Sequence, residues 1–135
     1  MSQENVELVR SALQAGAKRP KPDFDTINAL YDPDHVFVPA TGALGKTAAK
    51  GASGYKAWLE ESKQTMPWTM EFEGAVEIAT RTVLAETTMQ FRGGSSEIEI
   101  EQRLWLVVTV ANGKITRTEA YLDPAEALKA AGLRE

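Results

Sequence analysis

Apolar side chains recur at helical spacing in the first half of the chain, and residues that start or stop helices bound each group. Val6, Val9 and Leu13 predict a first helix, which ends before the two prolines of AKRPKP because proline cannot continue a helix. Tyr55 and Trp58, three positions apart, predict a later helix that begins near Ser53. The pattern therefore places two amphipathic helices before residue 66.

A short helix and a strand are predicted between these two helices. Asp25 is suited to cap the helix, which runs through Tyr31 and is broken by Asp32-Pro33. The next residues, His35-Val36-Phe37-Val38-Pro39, favour a short strand. The single histidine of the chain therefore lies at the start of a predicted strand.

After Pro67 the hydrophobic pattern changes to period two, which is typical of β-strands with one buried face. Gly93-Gly94-Ser95-Ser96 and Asn112-Gly113 favour hairpin turns, and Asn-Gly suits a type I′ turn because both residues tolerate positive φ. Asp123 is suited to cap a last helix with Pro124 at its first position. We predict strands at Trp68–Glu73, Val76–Ala79, Val83–Arg92, Glu97–Val110 and Ile115–Leu122.

Helices followed by a meander of antiparallel strands predict an α+β fold. The chain has 135 residues, of which 43% are hydrophobic and 25% are charged. This length suffices for one domain with a hydrophobic core and is short for two. We therefore predict a single domain over residues 1–135.

Charge and composition narrow the classes of partner and site. The formal net charge of −4 disfavours nucleic acid and anionic membranes, since both bind basic surfaces. Without cysteine the chain has no disulfide, thiol nucleophile or thiolate metal ligand, and with one histidine a zinc site would need three carboxylates. No apolar run approaches the roughly 20 residues of a membrane span, and the N-terminus lacks the core of a signal peptide. We expect a cytoplasmic protein with no metal and no cofactor.

The segment ATGALGKTAAKGASG, residues 40–54, is rich in glycine, alanine and lysine. It is only loosely similar to a phosphate-binding loop, because the Gly-Lys-Ser/Thr ending does not stand at the required distance from the first glycine. No long apolar strand precedes it. We expect a surface loop or a lid over a ligand site.

Four segments of the chain resemble the SnoaL-like branch of the nuclear transport factor 2-like superfamily. They are MSQENVELVR, LYDPDHVF, GASGYKAWLEE and EIEQRLWLVVTVANGKITRTEAYLDPAEALKAAGL. The resemblance implies a cone-shaped α+β fold in which a strongly curved antiparallel sheet wraps the helices and encloses a pocket. It also implies a homodimer formed through the outer face of the sheet. Members include polyketide cyclases, ketosteroid isomerases, dehydratases, epoxide hydrolases and ligand-binding modules, so the fold predicts a pocket better than a reaction.

The Asn112-Gly113 turn predicts how the last two strands pair. If the turn has two residues, Ala111 faces Lys114, and regular pairing places Leu106 opposite Glu119. We assign this face to the pocket. The matching residues are Leu104, Leu106 and Val108 on one strand, with Arg117, Glu119 and Tyr121 on the other. The opposite face, with Trp105, Val107 and Thr116, is the expected dimer surface.

Glu119 is the candidate acid or base, since burial in an apolar pocket would raise its pKa. Tyr121 or His35 would stabilise developing negative charge. Two alternatives stay open: Glu119 forms a structural ion pair with Arg117 or another arginine at a solvated end of the sheet, and His35 is a surface or half-buried histidine without a catalytic role. The pocket wall is predicted to include Tyr55, Trp58, Leu104, Leu106 and Val108, which suit a flat apolar ligand.

Two functions remain open from the sequence. The first is a cyclase, isomerase or hydrolase that acts on a small hydrophobic molecule through Glu119. The second is a noncatalytic ligand-binding or dimeric interaction module. Many relatives carry histidine at the position of Leu106, and its absence here favours the second. Glu101 and Arg103 have the spacing of the charged set of the epoxide hydrolase branch, but the expected register puts them on the face opposite Glu119.

Overall fold

The computed structural model describes residues 2–18, 22–38, 49–65, 68–92 and 99–131. Within these ranges the chain forms four helices and six strands. The predicted turn at 93–96 and residues 40–48 of the glycine-rich segment lie outside them. The elements are α1 (Ser2–Ala17), α2 (Phe24–Leu30), β1 (Tyr31–Val38), β2 (Ala49–Lys50), α3 (Gly51–Thr65), β3 (Trp68–Ala79), β4 (Thr82–Arg92), β5 (Glu99–Ala111), β6 (Lys114–Tyr121) and α4 (Pro124–Ala131).

The boundaries of α2 differ from the prediction at both ends. Its N-cap is Asp23 rather than Asp25, because the Asp23 carboxylate accepts hydrogen bonds from the backbone N–H (3.2 Å) and hydroxyl (2.7 Å) of Thr26. Tyr31 is not helical; its φ of −100° and ψ of 138° already begin β1. Asp32 precedes proline and therefore favours an extended backbone, so β1 includes both Tyr31 and Asp32.

The predicted start of α3 is wrong, and the predicted N-cap of α4 is confirmed. α3 begins at Gly51, two residues before the predicted Ser53. Gly51 has a φ of +74°, and a Cβ there would lie 3.0 Å from the Pro33 carbonyl oxygen, so glycine is required by both conformation and space. The predicted cap of α4 is confirmed, since the Asp123 carboxylate accepts the N–H of Ala125 at 2.8 Å.

The six strands form one sheet in the order β2-β1-β6-β5-β4-β3. The antiparallel meander of β3 to β6 agrees with the prediction, but β1 runs parallel to β6, so the sheet is mixed. The two strands predicted between Trp68 and Ala79 are one, β3, with a register shift between Phe72 and Gly74. Since β1 follows α2 and joins β6, residues far apart in sequence meet at the middle of the sheet.

The hairpin between β5 and β6 has the predicted turn and a different register beyond it. Asn112 and Gly113 have φ values of 55° and 77°, and Ala111 pairs with Lys114, as expected. Thr116 is then an extra residue on β6, because Val110 pairs with Ile115 while Thr109 pairs with Arg117. The bulge turns the rest of β6 over, so the prediction that Leu106 faces Glu119 is wrong: Leu106 pairs with Ala120.

Alternate residues of each strand lie on the two faces of the sheet. The inner face packs against the helices and carries the core, including Val83, Ala85, Leu106, Val108 and Ala120. The outer face carries the alternate residues, including Leu84, Glu86, Arg103, Trp105, Val107, Glu119 and Tyr121. No helix in the described ranges has both the length and the apolar character to cross a membrane.

Candidate functional site

Five aromatic rings from β1 and α3 pack together beside the inner face. Their ring centroids are 4.5 Å apart for Tyr31 and His35, 5.0 Å for Tyr31 and Tyr55, 5.2 Å for Phe37 and Tyr55, and 4.6 Å for Phe37 and Trp58. Alternation along β1 directs His35 and Phe37 inward, and Tyr55 and Trp58 lie one turn apart on α3. We call Tyr31, His35, Phe37, Tyr55 and Trp58 the ring cluster.

His35 is fully buried within this cluster, with 0% of its surface exposed. Its Nε2 lies 3.2 Å from Oγ1 of Thr118 on the neighbouring strand β6. Its other ring nitrogen, Nδ1, has no hydrogen-bond partner among the described residues. Burial lowers the pKa of His35 from its ordinary 6.5 to about 4, and the negative charge of Asp32 opposes the shift only in part. The imidazole is therefore neutral at pH 7.

Two tyrosine hydroxyls lie beside this histidine in the same apolar surroundings. Desolvation raises the pKa of Tyr31 well above its ordinary value and raises the pKa of Tyr55 as well. The Tyr31 hydroxyl makes no hydrogen bond of good geometry within the described structure, although it lies close enough to the Tyr55 hydroxyl for each to affect the pKa of the other. Both phenols therefore stay protonated at neutral pH.

The predicted pocket wall lies on the same side of the sheet as the ring cluster. Leu106 and Val108 are buried on the inner face of β5, and Leu104 is half-buried beside them. Val108 pairs with Thr118, the residue that contacts His35. Tyr55 and Trp58 join the same core. The structure thus brings these five predicted residues into one core with His35, while their role in binding a ligand stays a prediction.

Glu119 and Tyr121 are not part of this group, and the face assigned to them is wrong. The bulge at Thr116 places both on the outer face, where Glu119 pairs with Val107 and Tyr121 with Trp105. Arg117 Nε donates to Glu119 Oε2 at 2.8 Å, and the Tyr121 hydroxyl donates to Oε1 at 3.3 Å. This is the structural ion pair that the sequence left open as the alternative to an acid or base.

The bulge also brings Glu101 and Arg103 onto the face of Glu119, contrary to the expected register. The side chains are nevertheless solvated: Arg103 is 55% exposed and forms an ion pair with Glu86. Arg117 and Glu119 form a separate pair. The outer face therefore carries two ion pairs, one between β5 and β4 and one within β6, whereas the ring cluster lies on the opposite, inner side of the sheet.

Sequence reasoning missed Tyr31 and Thr118. Tyr31 was assigned to a helix, although Asp32-Pro33 directly after it was a signal for extended backbone. Thr118 was placed on the wrong face by the unseen bulge. Within the described ranges no three histidine, aspartate or glutamate side chains are grouped as metal ligands.

Residues 9–118 match the model of the SnoaL-like domain family, and the chain therefore belongs to this family. Its fold is the α+β cone of nuclear transport factor 2-like proteins. No curated protein matches the sequence.

Solved structures with this fold differ in described activity. An LEH-like epoxide hydrolase from M. tuberculosis has a TM-score of 0.69 at 21% identity, covering 95% of this chain and 84% of its own. TerC, crystallised with polyporic acid, has a TM-score of 0.74 at 20% identity, covering 91% of this chain and 94% of its own. A nuclear transport factor 2-like protein from Burkholderia xenovorans LB400 has a TM-score of 0.68 at 19% identity, covering 98% of each chain. At these identities the similarity establishes the fold alone.

Proposed function

We propose that this SnoaL-like protein binds a small, flat and largely apolar molecule at the ring cluster. One observation carries the proposal: a buried polar atom, His35 Nδ1, has no hydrogen-bond partner among the described residues. A buried polar group without a partner costs about 1–3 kcal/mol, so a molecule that satisfies this nitrogen would bind favourably. The aromatic walls suit a planar ligand.

Binding is favoured over acid–base catalysis by the ionisation of the cluster. A histidine whose pKa is about 4 is a weak base at pH 7, far from the matched pKa that general base catalysis requires. The Glu119 carboxylate is engaged by Arg117 on the other face. The role that fits His35 and Tyr31 is therefore to orient a ligand through hydrogen bonds.

The ligand class is supported by one structural neighbour. TerC was crystallised with polyporic acid, a quinone that bears two phenyl rings. That molecule combines flat rings with carbonyl oxygens, the chemistry that the ring cluster would recognise. We infer the class of ligand from this chemistry, and polyporic acid serves as a probe.

Nuclear magnetic resonance can test the proposal because the chain has one histidine and three tryptophans. Titration with polyporic acid or with 9-fluorenone, a flat tricyclic ketone, is expected to shift the His35 ring signals and the Trp58 indole signal. The Trp105 indole is the internal control, since Trp105 lies on the outer face. Shifts confined to Trp105, or no shift at the solubility limit of both probes, would contradict binding at the ring cluster.

Two tyrosine variants separate a specific contact from general loss of structure. Tyr31→Phe removes a buried hydroxyl of the ring cluster and keeps the ring, so we expect affinity for a bound probe to fall about five- to tenfold. Tyr121→Phe removes a hydroxyl from the outer face, where it bonds Glu119, and should leave affinity unchanged. Equal effects of the two substitutions would count against the assigned site.

A further inference from the structure

We propose that Thr118 is a positioning residue that holds His35 in the tautomer with the proton on Nδ1, so that the site selects ligands with a hydrogen-bond acceptor oxygen. The inference extends the proposed function and rests on it for the ligand, but its first part concerns the free protein. The observation is the single contact of 3.2 Å between His35 Nε2 and Thr118 Oγ1, both from buried residues.

The direction of this hydrogen bond follows from counting donors and acceptors. In one arrangement Thr118 donates its hydroxyl proton to Nε2, and the only group left without a partner is the Nδ1–H of His35. In the other, Nε2–H donates to Thr118 Oγ1, which leaves both the threonine O–H and the Nδ1 lone pair unpartnered. An unpartnered buried group is costly, so the first arrangement is the more stable.

The surroundings of Nδ1 do not reverse this choice. The rings closest to His35 are Tyr31, with an interplanar angle of 74°, and Tyr55, at 73°, so both meet the imidazole edge to face rather than through a hydrogen bond. Asp32 interacts with the imidazole through its charge and makes no hydrogen bond with Nδ1. The contact with Thr118 therefore decides which nitrogen keeps the proton.

The bulge of β6 is what makes the contact. Without the extra residue Thr116, regular pairing from the Asn112-Gly113 turn would direct Thr118 to the outer face. With it, Thr118 is inward, fully buried, and paired in register with Phe37, two residues from His35. The bulge in β6 thus places the Thr118 hydroxyl within hydrogen-bond distance of His35 Nε2.

A fixed Nδ1–H gives the site a donor that only an acceptor can satisfy. A ketone, quinone or ester oxygen accepts this hydrogen bond, whereas a ligand with only N–H donors cannot. Three flat tricyclic molecules of similar shape separate these cases: 9-fluorenone carries an acceptor, carbazole carries a donor, and fluorene carries neither. We expect 9-fluorenone to bind about tenfold more tightly than fluorene, the effect of one hydrogen bond to a buried group.

The tautomer can be read in the free protein, before any ligand is added. In ¹⁵N-labelled protein at pH 7, the nitrogen chemical shifts of the single histidine identify which ring nitrogen carries the proton. Protonated Nδ1 supports the proposal, and protonated Nε2 overturns it. Thr118→Val, which removes the hydroxyl and keeps the shape, should give a mixture of tautomers, while Thr118→Ser should restore the wild-type spectrum.

Thr87→Val is the matched control. Thr87 is also fully buried on the inner face, but its hydroxyl donates to the Leu104 carbonyl and does not contact His35. This variant should change stability and leave the histidine tautomer as in the wild type. If Thr87→Val alters the tautomer as much as Thr118→Val, the positioning role is wrong.

The ligand experiment distinguishes the two proposals. The tenfold preference for 9-fluorenone over fluorene should disappear in Thr118→Val and return in Thr118→Ser. Equal binding of the two molecules by the wild type overturns the selectivity. If neither polyporic acid nor any of the three molecules shifts Trp58 or His35, the proposed function is contradicted, and the spectrum of the free protein still decides the role of Thr118.

Discussion

Arg117 and Glu119 lie two positions apart on β6, and their side chains form an ion pair on the outer face at 2.8 Å. The carboxylate is 14% exposed and also accepts the Tyr121 hydroxyl. A shielded carboxylate with two donors contributes more than an open surface pair. Glu119 therefore joins residues of one strand to each other and stabilises the outer surface of the sheet.

Glu119→Gln is expected to destabilise the fold and to leave ligand binding unchanged. Gln keeps the shape but loses the charge that Arg117 pairs with, so we expect a loss of about 1 kcal/mol, or about 4 °C in melting temperature. Thermal unfolding measures the first effect, and a probe titration measures the second. Glu86→Gln is the control in a more exposed pair and should cost less. A Glu119→Gln protein as stable as the wild type but unable to bind a probe would restore the functional role expected from the sequence.

His35 makes stability depend on pH. Its folded pKa of about 4 lies below the ordinary 6.5, so below pH 6.5 the unfolded chain binds a proton that the folded chain does not. The folded state therefore loses stability as pH falls from about 6.5 to about 4. Between pH 7 and pH 5 the loss from this residue should be about 2 kcal/mol.

The measurement compares chemical unfolding of the wild type and His35→Gln at several pH values. The difference between the two proteins isolates the histidine from carboxylates that titrate in the same range. We expect the wild type to lose more stability than the variant on going from pH 7 to pH 5. Parallel curves would mean that His35 titrates normally and is more solvated than its burial indicates.

Alanine substitution at two glycines distinguishes the effect of backbone strain on stability from the effect of packing. Gly113 has a φ of +77° in the hairpin turn, while Gly74 lies outside the left-handed region, and a Cβ at either would meet no atom within 4 Å. Gly113→Ala should therefore cost about 1 kcal/mol through strain alone. Gly74→Ala should be neutral or stabilise by up to about 1 kcal/mol, because it reduces the freedom of the unfolded chain. Denaturant titration of the pair tests the expectation, and equal losses would contradict it.

A homodimer through the outer face remains our prediction. Val76 is 54% exposed on this face, and the half-buried Leu84 and Trp105 provide further apolar surface, whereas the predicted Val107 is already buried within the chain. Sedimentation at micromolar concentration should give about twice the monomer mass of 14.7 kDa. Val76→Lys should weaken association. Ile100 is equally exposed, at 55%, but alternation along β5 puts it on the opposite face of the strand. Ile100→Lys should therefore leave the dimer intact.

Local signals predicted most of the fold. Periodicity and turn residues located the helices and the meander, and Asn112-Gly113 predicted its own turn and the pairing of Ala111 with Lys114. The face of each later residue on β6 depended on Thr116, which carries no distinctive local signal. A one-residue error in a strand of period two reverses every side chain beyond it. Glu119 was therefore assigned to the site and Thr118 was overlooked.

The parallel pairing of β1 with β6 was beyond such reasoning. It joins residues 83 positions apart, as in the contact of His35 with Thr118, and no local pattern encodes that distance. The predicted aromatic wall nevertheless included Tyr55 and Trp58, because helical spacing places both on one side of α3. The helices and turns could be predicted from the sequence, whereas the pairing of strands distant in sequence was known only from the structure.

The joining of β1 to β6 also bears on how the protein is made. β1 is synthesised early, yet its long neighbour in the sheet is one of the last strands to leave the ribosome. Closing so long a segment is entropically costly and slow. We therefore expect β1 to remain unpaired with β6 until the chain is nearly complete. Pulse-labelling by hydrogen exchange during refolding should find the amides of β1 protected no earlier than those of β6. During that interval the apolar face of β1 would be exposed, and the newborn chain would be at its most prone to aggregate.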